Sequence, residues 1–198
     1  MSLSKTQKAR YSRNIKINQL QESGQQKLLS AKVLVIGAGG LGSPSIYYLA
    51  AAGVGTLGIA DCDVVDISNL QRQIIHSSLD IGKPKIESAS EKVKRLNPEV
   101  RVITYAQKIT AATINDIIKH YDFIIDCTDN FFAKFLINDA CVLNSKPFSY
   151  SGVISLHGQA MTYTPGSACL RCYAPTLPET PTGNDIGILG QQGYPLAQ

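Results

Sequence analysis

Lys32-Val-Leu-Val-Ile36, followed at once by Gly37-Ala-Gly39-Gly40-Leu-Gly42, decides how the rest of the chain is read. A short β-branched apolar run suits a strand buried on both faces. The glycines suit a tight turn out of it, and residues 41 to 52 can form the helix that follows. Gly37, Gly39 and Gly42 match the GxGxxG spacing, and Gly40 sits at the centre of the loop. At a strand-to-helix turn, glycines let the backbone approach phosphate oxygens, and the free N–H groups of the helix start supply favourable dipoles. The motif alone is weak, and a glycine-rich turn without a ligand is the plain alternative. Its position between strand and helix favours nucleotide binding.

Outward from this unit the chain alternates. Strands are expected at 55–60, 100–105 and 122–126, and helices at 85–96, 111–120 and 130–143. Pro84 fits a first helical turn, and Asn97-Pro98 stops the helix before it. Strands at 147–154 and 157–163, separated only by Ser155-Leu156, read as a hairpin. The βαβα order predicts an α/β fold with an open, mostly parallel, Rossmann-like sheet, helices on both faces and the antiparallel hairpin at one edge. Within one overall domain, residues 1–30 form an N-terminal helical extension, one or two short amphipathic helices packed outside the main fold. Residues 31–165 form the nucleotide-binding domain, and 166–198 a Gly, Pro and Thr-rich loop.

Composition narrows the function. The chain has 198 residues, 44% hydrophobic and 17% charged, as an ordinary globular protein does. Its net charge of +4 is modest, and Lys and Arg are scattered, so no nucleic-acid partner is expected. No apolar run reaches the roughly 18 residues of a membrane helix, and residues 1–14 lack a signal peptide's apolar stretch. A cytoplasmic location without membrane attachment is therefore expected. Five cysteines are an odd number, which argues against a disulfide framework.

Asp61, closing the second strand, can accept hydrogen bonds from ribose hydroxyls. By itself that fits NAD as well as ATP. The residues that follow favour ATP. Asp63, Asn69, Arg72, Lys85 and Asp129 all fall at or just beyond the C-terminal ends of strands, where open α/β sheets place ligands. A triphosphate with Mg2+ needs cations for its phosphates and a carboxylate for the hard metal ion. Hydride transfer needs neither.

Read in order, Arg10-Tyr-Ser-Arg13, the glycine loop, the acidic strand end, Ser68-Asn-Leu-Gln-Arg-Gln73, Gly82-Lys-Pro-Lys85, Asp126-Cys-Thr-Asp-Asn130 and Cys169-Leu-Arg-Cys172 resemble the MoeB/ThiF family, prokaryotic relatives of ubiquitin-activating enzymes. The resemblance implies ATP-dependent adenylation of the C-terminal glycine carboxylate of a small ubiquitin-like sulfur-carrier protein of MoaD/ThiS type, ending in Gly-Gly, with release of pyrophosphate. It implies that Gly37, Gly39, Gly40 and Gly42 hold the phosphates and that Asp61 takes the ribose, with Asp63 beside it. Asn69, Arg72 and Lys85 face the triphosphate, Asp129 binds Mg2+, and Arg13 reaches across a twofold interface into the neighbouring subunit of a homodimer. Pathways such as thiamin or molybdopterin biosynthesis follow from the same likeness.

Two features depart from the pattern. Cys169 and Cys172 are spaced as half of a tetrahedral Zn2+ site, and the second CxxC that the family usually carries is missing. The stretch Thr180–Gly187 holds no cysteine for a covalent link to the carrier, so adenylation alone is expected. Family members also continue beyond this length, and the last segment reads as a truncated tail. Two rivals stand beside the enzyme: an NAD-dependent oxidoreductase, which leaves Arg13, Arg72, Lys85 and Asp129 unexplained, and a non-catalytic ATP- or partner-binding module.

Overall fold

A computed structural model describes residues 2–175. The elements run α1 (Lys5–Arg10), α2 (Ser12–Ile15), α3 (Gln21–Ser30), β1 (Lys32–Ile36), α4 (Gly42–Ala52), β2 (Thr56–Ala60), α5 (Lys85–Leu96), β3 (Arg101–Tyr105), α6 (Ile114–Ile118), β4 (Phe123–Asp126), α7 (Phe131–Leu143), β5 (Phe148–Ile154), β6 (His157–Tyr163) and α8 (Leu170–Tyr173). The sheet has six strands in the order β3-β2-β1-β4-β5-β6. All neighbours are parallel except the β5–β6 pair, which closes through Ser155 and Leu156, with Ser155 in the left-handed region at φ 52°. The expected fold class is therefore the observed one.

Alternation along β1 builds the two sides of the core. Val33 and Val35 pack with Ile46 and Ala50 of α4 and with Ile86, Ala89 and Val93 of α5. Leu34 and Ile36 face Ile117 and Ile118 of α6 and Phe135 and Ile137 of α7. A period of two thus buries both faces of the central strand, as a doubly covered sheet requires.

Three short helices replace the one or two expected at the N-terminus, and they are anchored rather than merely resting outside. Tyr11, between α1 and α2, is 1% exposed. Its hydroxyl accepts a 2.8 Å bond from Asn97 Nδ2, which also donates to the Ala50 carbonyl. The helix expected at 111–120 shrinks to Ile114–Ile118. Thr113 Oγ1 accepts from the Thr110 N–H at 3.1 Å, a local bond that competes with helix at its start. The segment beyond 165 is not all loop. α8 forms there because Leu170 is buried and its N–H donates to Asn138 Oδ1 of α7, a contact that sequence periodicity does not carry. The remainder of the expected tail, including Thr180–Gly187, lies outside the described residues.

Candidate nucleotide site

In a sheet of this order the succession of strands reverses direction between β1 and β4, and the strand ends there leave a crevice. A cleft of about 310 Å³ occupies it, lined by the glycine loop after β1, Asp61, Cys62 and Asp63 after β2, Gln107 to Ile109 after β3, and Cys127 to Asn130 after β4. Arg72, Gln73 and Lys85 form a further wall.

The loop is shaped by its glycines. Gly37 has φ 97°, and a Cβ there would meet the Cys127 carbonyl oxygen at 2.7 Å. A Cβ on Gly42 would lie 1.9 Å from the Gly37 carbonyl oxygen. Gly42 is buried and does not line the cleft, so its place in the motif is to let α4 start tight against the turn. Gly39 and Gly40 do line the cleft.

Asp61 holds the loop from below. One carboxylate oxygen accepts from the Ala38 N–H at 2.7 Å and the other from the Asp63 N–H at 2.8 Å. Each oxygen keeps a second lone pair for a ligand hydroxyl. Lys85, at the first turn of α5, brings its ammonium 2.9 Å from Asp63, and its side chain is 7% exposed against 64% for Asp63. A buried ammonium needs a counter-charge, and in the free protein Asp63 supplies it. Arg72 lines the same wall and donates to the Ser68 carbonyl at 3.3 Å. The two cations therefore share one cleft with the glycine loop.

Asp129 is exposed at the β4 side of the cleft. The loop carrying it is fixed by Asp126, which is fully buried and accepts from the Thr128 N–H at 2.9 Å and the Thr128 hydroxyl at 2.6 Å. Lys134 of α7 lies 3.4 Å from Asp126 and donates to the Ser151 carbonyl at 2.6 Å. An exposed carboxylate at the mouth of the cleft, bonded only at 3.5 Å by the Asn130 amide among the described residues, fits Mg2+, which commonly takes one or two carboxylates together with substrate phosphates. A nucleotide also fits an orphaned group: Gln73 Oε1 is buried on the cleft wall without a hydrogen-bond partner among the described residues.

Four expected residues fall elsewhere. Asn69 sits in a short 3₁₀ turn (Ile67–Asn69) outside the cleft lining. Arg13 is exposed on α2 and does not line its own chain's cleft. Cys169 and Cys172 flank the first turn of α8 with their sulfurs 3.9 Å apart, close to the roughly 3.8 Å that two thiolates span on a tetrahedral zinc with bonds of about 2.3 Å. Burial would raise the Cys169 pKa, but the N–H groups of Cys172 and Arg171, the Cys172 thiol and the Asn138 amide outweigh it and lower it, favouring the thiolate. Two ligands do not close a structural zinc site, and no group of three or more His, Cys, Asp or Glu is placed to share a metal among the described residues. Among those residues no helix is long and apolar enough to cross a membrane.

Residues 11–191 match the ThiF family profile. The chain belongs to the ThiF family. Among its relatives, the SAMP-activating enzyme E1 of Haloferax volcanii is 42% identical over 98% of this chain and 72% of that protein. The probable adenylyltransferase/sulfurtransferase MoeZ of Mycobacterium tuberculosis is 48% identical over 82% of this chain and 41% of its own length. The crystal structure of E. coli MccB with ATP shares the fold at a TM-score of 0.75 and 29% identity, covering 82% of this chain and 51% of that one. The chain thus spans most of the archaeal relative but less than half of MoeZ.

Sequence reasoning missed His76, Asp80 and Lys108. The first two are buried polar residues of the segment between β2 and α5, and Lys108 lines the cleft after β3. His76 and Asp80 lie just beyond the Ser68–Gln73 motif, with no spacing signature of their own.

Proposed function

We propose that this protein uses ATP to adenylate the C-terminal glycine carboxylate of a small ubiquitin-like sulfur carrier of MoaD/ThiS type, releasing pyrophosphate. The observation that carries the reading is the convergence of Arg72 and Lys85 with the glycine loop and Asp129 around one cleft. The names of MoeZ and the SAMP-activating enzyme support the same class of chemistry.

In this reaction the carrier carboxylate attacks the α-phosphorus, a P–O bond forms to the incoming oxygen, and the bond to pyrophosphate breaks. Negative charge grows on the phosphoryl oxygens and the leaving group. The free N–H groups of the glycine loop and the cations of Arg72 and Lys85 stabilise that charge, which is where most of the catalysis in phosphoryl transfer lies. As the triphosphate enters, Lys85 exchanges its Asp63 partner for phosphate. Asp61 orients the ribose through its unused lone pairs. Asp129 would hold Mg2+, which would supply further neutralisation of the phosphate charge.

Arg13 acts from a partner subunit in a homodimer. Supporting that assembly, Ile67, Ile74, Leu79 and Ile81 are large apolar side chains exposed on the segment beside the cleft, as an interface residue set would be. Zn2+ on Cys169 and Cys172 requires ligands beyond these two.

The test is ATP–pyrophosphate exchange with purified carriers ending in Gly-Gly. Exchange that requires both the carrier and Mg2+ is expected. Absence of exchange with every carrier, together with NADH binding tighter than ATP, would favour the oxidoreductase; ATP binding without exchange would favour the non-catalytic module.

A further inference from the structure

We infer that His76 is a positioning residue that aims the glycine loop at the phosphates. The inference rests on the adenylation reading of the cleft. His76 is 6% exposed and sits on the segment between β2 and α5. Its Nε2 lies 2.9 Å from the Ala38 carbonyl oxygen, and its Nδ1 lies 2.9 Å from the hydroxyl of Ser88 on α5.

The tautomer follows from the partners. A carbonyl oxygen can only accept, so Nε2 carries the hydrogen and Nδ1 accepts from the Ser88 hydroxyl. Burial lowers the pKa of the ring, the Ala38 bond opposes this, and the nearby Lys85 charge lowers it again against the opposing pull of Asp80 and Asp61. The neutral ring is therefore the form present at pH 7.

The consequence reaches the cleft through peptide geometry. Ala38 is held on both sides, its N–H by Asp61 at 2.7 Å and its C=O by His76. In a planar trans peptide the C=O of residue 38 and the N–H of residue 39 point in opposite directions. Drawing the Ala38 carbonyl toward His76 in the protein interior turns the Gly39 N–H the other way. Gly39 lines the cleft, and its N–H has no hydrogen-bond partner among the described residues. One imidazole thus ties together the segment that bears Arg72, the helix that bears Lys85 and the loop that donates to phosphate.

The test compares Mg-ATP and adenosine by calorimetry on wild type, His76→Leu, His76→Gln and Ser88→Ala. Glutamine can place an amide N–H near the position of Nε2, so it should keep ATP affinity within about threefold, whereas leucine should weaken it about tenfold, the worth of one hydrogen bond. Ser88→Ala should weaken ATP about threefold. Adenosine, which has no phosphates, should bind all variants alike. If His76→Leu does not fold, the glutamine and Ser88→Ala variants decide by the same criteria. Unchanged ATP affinity in both His76→Leu and Ser88→Ala, or equal losses for ATP and adenosine, would overturn the inference and leave the adenylation reading standing. A wild-type protein that binds no ATP would overturn both.

Discussion

The glycine loop and the Cys169–Cys172 turn are both short motifs on the same sheet scaffold, yet they are held in different ways. The loop is gripped from three sides by partners within the fold: Asp61 and His76 hold Ala38, and the Gly42 start of α4 packs against Gly37. The cysteine turn hangs on one helix. Arg171 makes two 2.6 Å bonds to Asp139 and stacks 4.9 Å from the Phe135 ring, Asn138 accepts the Leu170 N–H, and Cys172 is left exposed. A site satisfied within the domain can be read from the domain. Two cysteines alone, short of the four ligands of a structural zinc site, cannot.

Substitutions sharpen that contrast. The largest loss is expected for Arg72→Ala and Lys85→Ala, each reducing ATP–pyrophosphate exchange on the order of 10³-fold, with circular dichroism showing the fold retained. The next tests what holds the wall of the cleft. Asp80 is 2% exposed, pairs with Lys92 at 2.6 Å and accepts from the N–H and hydroxyl of Ser77. Burial works to raise its pKa, but the Lys92 ammonium and the Ser77 donors overcome this and hold it well below the usual carboxylate range. Asp80→Asn should cost about 3 kcal/mol in urea unfolding at pH 7.

The pH dependence has a definite sign. Because the folded pKa is depressed, the contribution is complete above the unfolded value of about 3.9 and is lost as pH falls from there toward the folded value. The wild-type advantage over Asp80→Asn should therefore shrink below about pH 4, as unfolding at stepped pH will report. The smallest effect is expected at the other region: Cys172→Ser should leave exchange within about twofold and stability within about 0.5 kcal/mol for the chain without zinc, because this thiol is exposed and lies outside the cleft lining.

The legibility of the sequence followed the same division. Val33 to Ile36 and the glycines after them announced a buried parallel strand and its turn, and βαβ alternation is enough to order such a sheet. Arg72, Lys85 and Asp129 could be picked out because each sits in a short motif, Asp129 directly after β4 and the other two along the stretch that leads from β2 into α5. What stayed hidden depended on contacts far apart in sequence. Asn97 is the helix stop that was expected, and it is also an anchor for Tyr11, 86 positions away. His76 reaches Ala38 across 38 positions, and no local periodicity encodes such a partner. α8 escaped notice for the same reason, since its order comes from Asn138 and a buried Leu170 rather than from helix propensity.

The central claim is that one triphosphate is gripped jointly by the glycine loop and two cations from separate segments. A crystal structure of the protein with Mg2+ and a non-hydrolysable ATP analogue tests it most directly. The account predicts phosphate oxygens within about 3 Å of the Gly39 and Gly40 N–H groups, the Arg72 guanidinium and the Lys85 ammonium, with the metal bound by Asp129. A nucleotide seated in the cleft whose phosphates touch neither cation, or one bound away from the glycine loop, would contradict it.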